Sequence, residues 1–473
     1  MKKLLFCLLA AASAGVFAQG PKKPVKYLFL FIGDGMSVPQ RMTAEEYSRK
    51  AGRGPLAMNT MPYTATTRTC SFDSLVTDSA AAATAIACGE KTKNHYSGVD
   101  PDGKPLYSSA YFAKKAGYKV GIISTVTITH ATPAGFYAHR NNRGDYYGIS
   151  LDLADSGFDF FAGGGLDVTD KNSKKHKQYA DCGDAYEYAQ SKGYRLVTTK
   201  KEFLALKPSD GKILTKFTNK ALDNSIDADG SQPTIAELVQ KGIEMLDCEK
   251  GFFMMAEGGR IDWAGHSNDA ATNLRDVLAL DDAVKVALAF QEKHPDDTLV
   301  VVTGDHETGG MSMGFAGTGY ALYMDRLDNQ TMSAGTFGDK VNKLFEENPG
   351  LKFEDVKPLV SKAFGFKYEG DVKEDPMVLT KEELADIVKA FDHDVEFHKS
   401  KIEENTKYDG EKRYLFANAC RLVMSHKCGI GWSSGAHTAM PVLTTAKGCN
   451  AELFSGFIEN TDISKRMKSF YEL

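Results

Sequence analysis

Four strings in this chain put carboxylate and imidazole side chains where they could hold a metal ion. They are Phe31-Ile-Gly-Asp34-Gly-Met36, Glu257-Gly-Gly-Arg-Ile-Asp262-Trp-Ala-Gly-His266, Gly304-Asp305-His306-Glu307 and Ser434-Gly-Ala-His437. Carboxylate plus imidazole is an ordinary ligand set for zinc, and carboxylates also suit harder divalent ions. Asp262 and His266 are four residues apart, so a helix would place both on one face, with Glu257 just before them. Singly, each string also reads as a turn or a surface helix pair. A fifth string, Thr77-Asp78-Ser79, precedes an alanine-rich run from Ala80 to Ala87 and a stop at Gly89. Asp78 or Ser79 therefore stands at a helix N-terminus. There it is a simple N-cap, or Ser79 attacks phosphorus while the free N–H groups hold a phosphoryl oxygen. A serine hydroxyl needs a base or a metal to lose its proton, and metal activation is consistent with the nearby supply of Asp and His.

These residues need elements to position them. Apolar runs at Tyr27–Ile32, Val120–Ile123, Phe252–Ala256 and Leu299–Val302 each stop at a polar or acidic cluster. Continuous rather than alternating hydrophobicity predicts strands buried on both faces, as in a parallel sheet covered by helices. Between them lie helical patterns such as Ile235, Leu238, Val239, Ile243 and Leu246 behind a Thr234/Glu237 capping box. The alternation predicts one large α/β domain with a parallel sheet covered by helices and the site beyond the carboxyl ends of the strands. From about 314 to 431 the pattern becomes helical and charge-rich and reads as an insertion. It includes a capping box at Thr380/Glu383, with Lys389, Asp392 and Asp394 as solvated surface.

The 473 residues carry 57 Lys+Arg against 62 Asp+Glu, a formal charge of −5, so no broad basic surface points to nucleic acid or an anionic membrane. Any anion must be met by a local site. Residues 1–18, with Lys2 and Lys3 before an apolar stretch and Val16-Phe17-Ala18 before Gln19, read as a secretory signal. Export is expected, to the periplasm or beyond, with residues 19–473 as the catalytic domain and no later transmembrane segment. Processing would remove two lysines and Cys7, taking the formal charge from −5 to −7 and leaving seven of the eight cysteines, an odd number for internal pairing.

Across essentially the whole mature chain apart from the insertion, the sequence resembles the alkaline phosphatase family. The matching strings are Phe31–Met36, Val76–Ala85, Thr129-His-Ala-Thr-Pro-Ala-Gly135, Glu257–His266, Thr303–His306 and Gly435–His437. The resemblance implies an α/β fold with a doubly wound, mostly parallel central sheet flanked by helices, and phosphate monoester hydrolysis with two zinc ions and one magnesium, through a phosphoserine on Ser79. It would place Asp262, His266 and His437 on the first zinc, Asp34, Asp305 and His306 on the second with Ser79 bound to it as an alkoxide, and Asp34, Thr132 and Glu257 on magnesium. Arg143 stands at the family's spacing for the arginine that clamps phosphate, with Asp78 orienting it. His130 and Trp263 occupy two positions that vary within the family and would act around the phosphate. Family members are commonly homodimers, an expectation the insertion could alter. The competing readings are a phosphodiesterase of the same metal-dependent superfamily and an exported phosphate-binding or metal-storage protein. Arg143 argues against the first and Ser79 against the second. A sulfatase would need a Cys-x-Pro-x-Arg motif, which is absent.

Overall fold

The computed structural model describes residues 24–167, 183–348, 350–403 and 414–471. The leader read at 1–18 lies outside the described residues, as do Cys7 and Cys182. Among the described residues no helix is long and apolar enough to cross a membrane.

Among the described residues fourteen strands run in chain order: β1 (Tyr27–Gly33), β2 (Tyr63–Arg68), β3 (Lys119–Ser124), β4 (Phe160–Ala162), β5 (Tyr194–Val197), β6 (Lys212–Thr215), β7 (Phe252–Gly258), β8 (Thr298–Gly304), β9 (Glu307–Thr308), β10 (Met311–Met313), β11 (Ile430–Trp432), β12 (His437–Thr438), β13 (Val442–Gly448) and β14 (Gly456–Glu459). Ten of them form one sheet in the order β14-β2-β13-β8-β1-β7-β3-β4-β6-β5. Only β13 runs against the rest, pairing antiparallel with both β8 and β2. Every residue of β1, β7 and β8 is buried, which is why these runs are apolar without alternation. Helices cover both faces, and the doubly wound α/β expectation holds. The helix Ile235–Leu246 starts at the expected Thr234/Glu237 capping box and buries Ile235, Leu238, Val239, Ile243 and Leu246.

Two features of the long helical stretch bear on the site. Its helices Ala334–Glu347, Phe353–Phe364, Lys381–Glu403 and Leu415–Cys428 leave the sheet region through β10 and return through β11. These two strands pair antiparallel, Met311 opposite Trp432 and Met313 opposite Ile430, and β9 pairs with β12 just beyond, Thr308 opposite His437. The excursion thus begins and ends at one narrow ribbon. Thr380 and Glu383 form the expected capping box. Lys389 and Asp392 are exposed as expected, but Asp394 is not solvated surface. It is 1% exposed and accepts from the Phe416 N–H at 3.0 Å, holding the start of the helix Leu415–Cys428, where negative charge meets unpaired N–H groups.

Candidate active site

The sheet register builds the floor of the site. β1, β7 and β8 end level, with Gly33 opposite both Gly258 and Gly304. Asp34 and Asp305 are therefore the next residues of adjacent strands, and Glu257 lies one step inside β7, opposite Ile32 and Ser124. All three carboxylates are fully buried. The Gly35 N–H donates to Asp305 Oδ1 at 3.0 Å, Thr132 Oγ1 donates to Asp34 Oδ2 at 3.3 Å, and Ser124 Oγ donates to Glu257 Oε2. Asp34 Oδ1, Glu257 Oε1 and Asp305 Oδ2 nevertheless have no hydrogen-bond partner. Burial, reinforced by mutual repulsion, pushes all three carboxyls well above the usual carboxylate range. Buried carboxylate oxygens without donors are costly, and divalent cations would relieve that cost, so the residues fit the divalent ions that the resemblance implies.

The imidazoles are aimed at this floor by their outer nitrogens. His266 Nδ1 donates to the Gly435 carbonyl and His437 Nδ1 to the Thr77 carbonyl, each at 2.8 Å, which turns each Nε2 towards Asp262. On the helix Arg260–His266, Asp262 Oδ2 lies 3.4 Å from His266 Nε2, and Asp262 Oδ1 lies 3.5 Å from His437 Nε2. Burial works against the charge of Asp262, but the hydrogen bond from His437 and the neighbouring imidazoles bring its carboxyl below the ordinary range. His306 Nε2 stands 3.3 Å from Asp34 Oδ1, 3.2 Å from Asp305 Oδ2 and 3.1 Å from Ser79 Oγ.

Among the described residues three groups can each close on one ion, with ligand atoms within 4.8 Å of one another: Asp34, Asp305 and His306; Asp262, His306 and His437; and Asp34, His130 and Glu257. The first reproduces the expected second-zinc set. In the second, His306 takes the place expected for His266, whose side chain is 40% exposed at the rim, with its Nε2 3.2 Å from that of His437. In the third, His130 stands with Asp34 and Glu257, nearer the expected magnesium set than its position beside phosphate implied. Burial, and then the charge of Arg143, brings the His130 imidazole down to about 3, so it is neutral.

Ser79 opens the helix Ser79–Cys88, which ends at Gly89 in the left-handed region as expected. Its N-cap is Asp78, whose Oδ1 accepts from the Ala81 N–H at 3.0 Å. Asp78 Oδ2 accepts from Arg143 Nη1 at 2.9 Å, so one carboxylate both caps the nucleophile's helix and holds the guanidinium. Burial disfavours the charge of Arg143, but Asp78 more than offsets it and the guanidinium stays charged. Arg143 Nη2 is 3.5 Å from His130 Nε2, and the His130 ring meets Trp263 edge to face at 5.9 Å. Arg260, a residue not singled out in the sequence, lies over the Trp263 ring at 4.8 Å.

Two Gly-x-Ser-x-Gly strings, Gly310–Gly314 and Gly431–Gly435, offer alternative serines. Ser312 lies on β10 and donates to the Gly314 carbonyl, while Ser433 donates to the Gly310 carbonyl. Neither stands on the strand-to-helix turn that such a nucleophile needs. The sequence reading also passed over residues that hold the ligands: Ser124 on Glu257, Thr308 on Asp262 and His306, and Glu307. The Glu307 carboxylate accepts from Gln40, Thr438 and the Gly310 and Met311 N–H groups. Glu307 and Thr308 directly follow Asp305-His306, and Ser124 ends the apolar run of β3.

An α/β sheet whose central strands end in buried acids and imidazoles, beside a serine at a helix start, has the build of a doubly wound hydrolase with candidate metal sites. Residues 25–473 match the family model described as alkaline phosphatase, and the chain belongs to that family. It is 30% identical over 465 residues to alkaline phosphatase 3 of Bacillus subtilis, covering 96% of this chain and 91% of that one. The cold-active alkaline phosphatase of a psychrophilic Shewanella superposes with a TM-score of 0.77 at 27% identity, over 94% of this chain and all of that one. A mutant alkaline phosphatase from the Antarctic bacterium TAB5, with Mg bound in its M3 site, superposes with a TM-score of 0.65 at 25% identity, over 95% and 99%. The protein is accordingly a phosphatase of a family that acts on phosphate monoesters.

Proposed function

We propose that the protein hydrolyses phosphate monoesters in two displacements at Ser79. The observation that carries this reading is the position of Ser79 Oγ. It is 3.1 Å from the Nε2 of a neutral buried imidazole that itself lies within 3.3 Å of two of the orphaned carboxylate oxygens, and it directly follows the N-cap that grips Arg143. Asp262, His266 and His437 would hold one zinc ion, Asp34, Asp305 and His306 a second beside Ser79, and Asp34, Thr132 and Glu257 a magnesium, with His130 at its side. The Mg in the TAB5 mutant supports the last of these. When bound, the ions supply positive charge that lowers the pKa of ligated oxygens and neutralises attacking and leaving groups. The planar Arg143 guanidinium, fixed by Asp78, donates a paired set of N–H groups to the equatorial oxygens of the phosphoryl group. Ser79 Oγ forms the new P–O bond as the ester P–O bond breaks, and water then cleaves phosphoseryl-79 to release inorganic phosphate. The N–H groups at the start of the helix Ser79–Cys88 favour the developing negative charge. Nothing in this arrangement reads the alcohol, so small-molecule monoesters of varied structure are the expected substrates. The leader reading supports export, and the family supports a homodimer.

The test is release of p-nitrophenol from its phosphate ester by wild type and Ser79→Ala, with and without chelator, alongside a bis-ester. Ser79→Ala should lose on the order of 10³-fold or more, and chelated wild type should be inactive. An inactive zinc-loaded wild type overturns the enzyme reading, and preference for the bis-ester overturns the monoesterase reading. Metal analysis finding fewer than two zinc ions per chain at saturation overturns the ligand sets.

A further inference from the structure

Thr308 is fully buried at a point where every segment carrying the zinc-side ligands meets. Its Oγ1 lies 2.5 Å from Asp262 Oδ1 and 3.2 Å from His306 Nδ1, and its backbone pairs with His437 across β9 and β12. Gln40 Nε2 donates to its carbonyl at 2.9 Å. Two glycines make room for the side chain. A Cβ on Gly35, the residue after Asp34, would come within 2.7 Å of Thr308 Oγ1, and one on Gly265, the residue before His266, within 3.0 Å of its Cβ. Gly35 also has φ +71°, a conformation other residues resist.

A hydroxyl has one proton to give. Asp262 as a carboxylate can only accept, so the Thr308 proton goes to Asp262, and the hydroxyl oxygen must accept from His306 Nδ1–H. His306 is then held as the Nδ1–H tautomer with its Nε2 lone pair turned to Asp34, Asp305 and Ser79. Backbone carbonyls fix the tautomers of His266 and His437; for His306 a side chain does this, and that side chain also belongs to the Asp262 set. We infer that Thr308 is a positioning residue that couples the two zinc sets, its single hydroxyl orienting Asp262 in one and selecting the His306 tautomer in the other. The inference rests on the ligand sets proposed above.

Thr308→Val keeps the shape and removes the hydroxyl, whereas Thr308→Ser keeps the hydroxyl. Zinc competition against a chromophoric chelator should show Thr308→Val weakened about 10- to 100-fold at both zinc sites together, with Thr308→Ser close to wild type. Unchanged affinity in the valine variant, weakening of one site only, or a serine variant as weak as the valine variant overturns the inference. Imidazole ¹⁵N spectra of metal-free wild type give a readout that needs neither metal nor a folded valine variant. His306 should be the Nδ1–H tautomer, and finding the Nε2–H tautomer overturns the inference. Failure of wild type itself to bind two zinc ions would instead count against the ligand sets, and the tautomer measurement would still decide the role of Thr308.

Discussion

The floor and the rim of the site are built by different means. Asp34, Glu257 and Asp305 leave three neighbouring parallel strands in register, so their meeting follows from sheet pairing alone. His437, His266 and Arg143 reach the same place from a returning ribbon, a seven-residue helix and a loop, each held by a specific hydrogen bond. The floor is fully buried and electrostatically costly, with orphaned oxygens and raised carboxyl pKa values. The rim is better satisfied and more exposed. Cations are thus part of what stabilises the floor, whereas the rim depends on its oriented side chains.

The largest effect should come from removing metal, which separates the two regions by pH. Burial pushes Glu257 to about 8 and Asp305 to about 7 in the metal-free fold, against ordinary values near 4. Below pH 4 folded and unfolded chains both hold these protons and the groups contribute nothing. Between about pH 4 and 8 the unfolded chain has lost them while the fold retains them, so raising the pH favours unfolding. Thermal melts of chelated protein should therefore fall from pH 5 to pH 8, and saturating zinc and magnesium should remove the slope. A flat profile without metal would break the contrast by showing the floor to be unstrained. Glu257→Gln should reduce the slope.

A smaller loss is expected at the rim. Arg143→Ala should lower kcat/KM for p-nitrophenyl phosphate by about 10- to 100-fold, the scale of a charge-assisted hydrogen-bonded contact, with zinc content unchanged. Arg143→Lys should recover only part, because a point charge cannot reproduce the planar pair of donors. Loss of zinc in either variant would show that rim and floor are one unit. The smallest effect concerns Trp263, which brings no charge of its own but carries the Arg260 guanidinium over its ring. Trp263→Lys should strengthen inhibition by inorganic phosphate by roughly fivefold, about 1 kcal/mol, typical of a partly exposed charge. Unchanged inhibition would mean that this position does not act on phosphate.

The same division explains what could be read from the residues alone. Buried parallel strands announce themselves by unbroken apolar runs, and acids at the ends of three such runs predict a common floor. The Thr234/Glu237 and Thr380/Glu383 boxes and the Ala80–Ala87 helix were legible because their signals are local. Asp394 was misread because its partner, the Phe416 N–H, lies 22 residues away on another helix. Membership of His306 in two ligand groups, the approach of His130 to Glu257 and the two hydrogen bonds of Thr308 depend on distances across elements, which spacing along the chain does not encode. The family resemblance supplied His437 as a partner of Asp262, and the β9–β12 pairing shows how it arrives.

That arrival has an entropic side. Strands β10 and β11 clamp the two ends of the stretch from 314 to 429 immediately beside β9 and β12, which carry Thr308 and His437. The free energy of closing a chain loop grows only with the logarithm of its length, about 0.6 kcal/mol for each doubling. What the histidine needs is that the clamp shuts, and it is nearly indifferent to how much chain lies between. The helical stretch can therefore lengthen, shrink or diverge in sequence at little cost to the placement of His437, provided the clamp and the surface packed against it are kept.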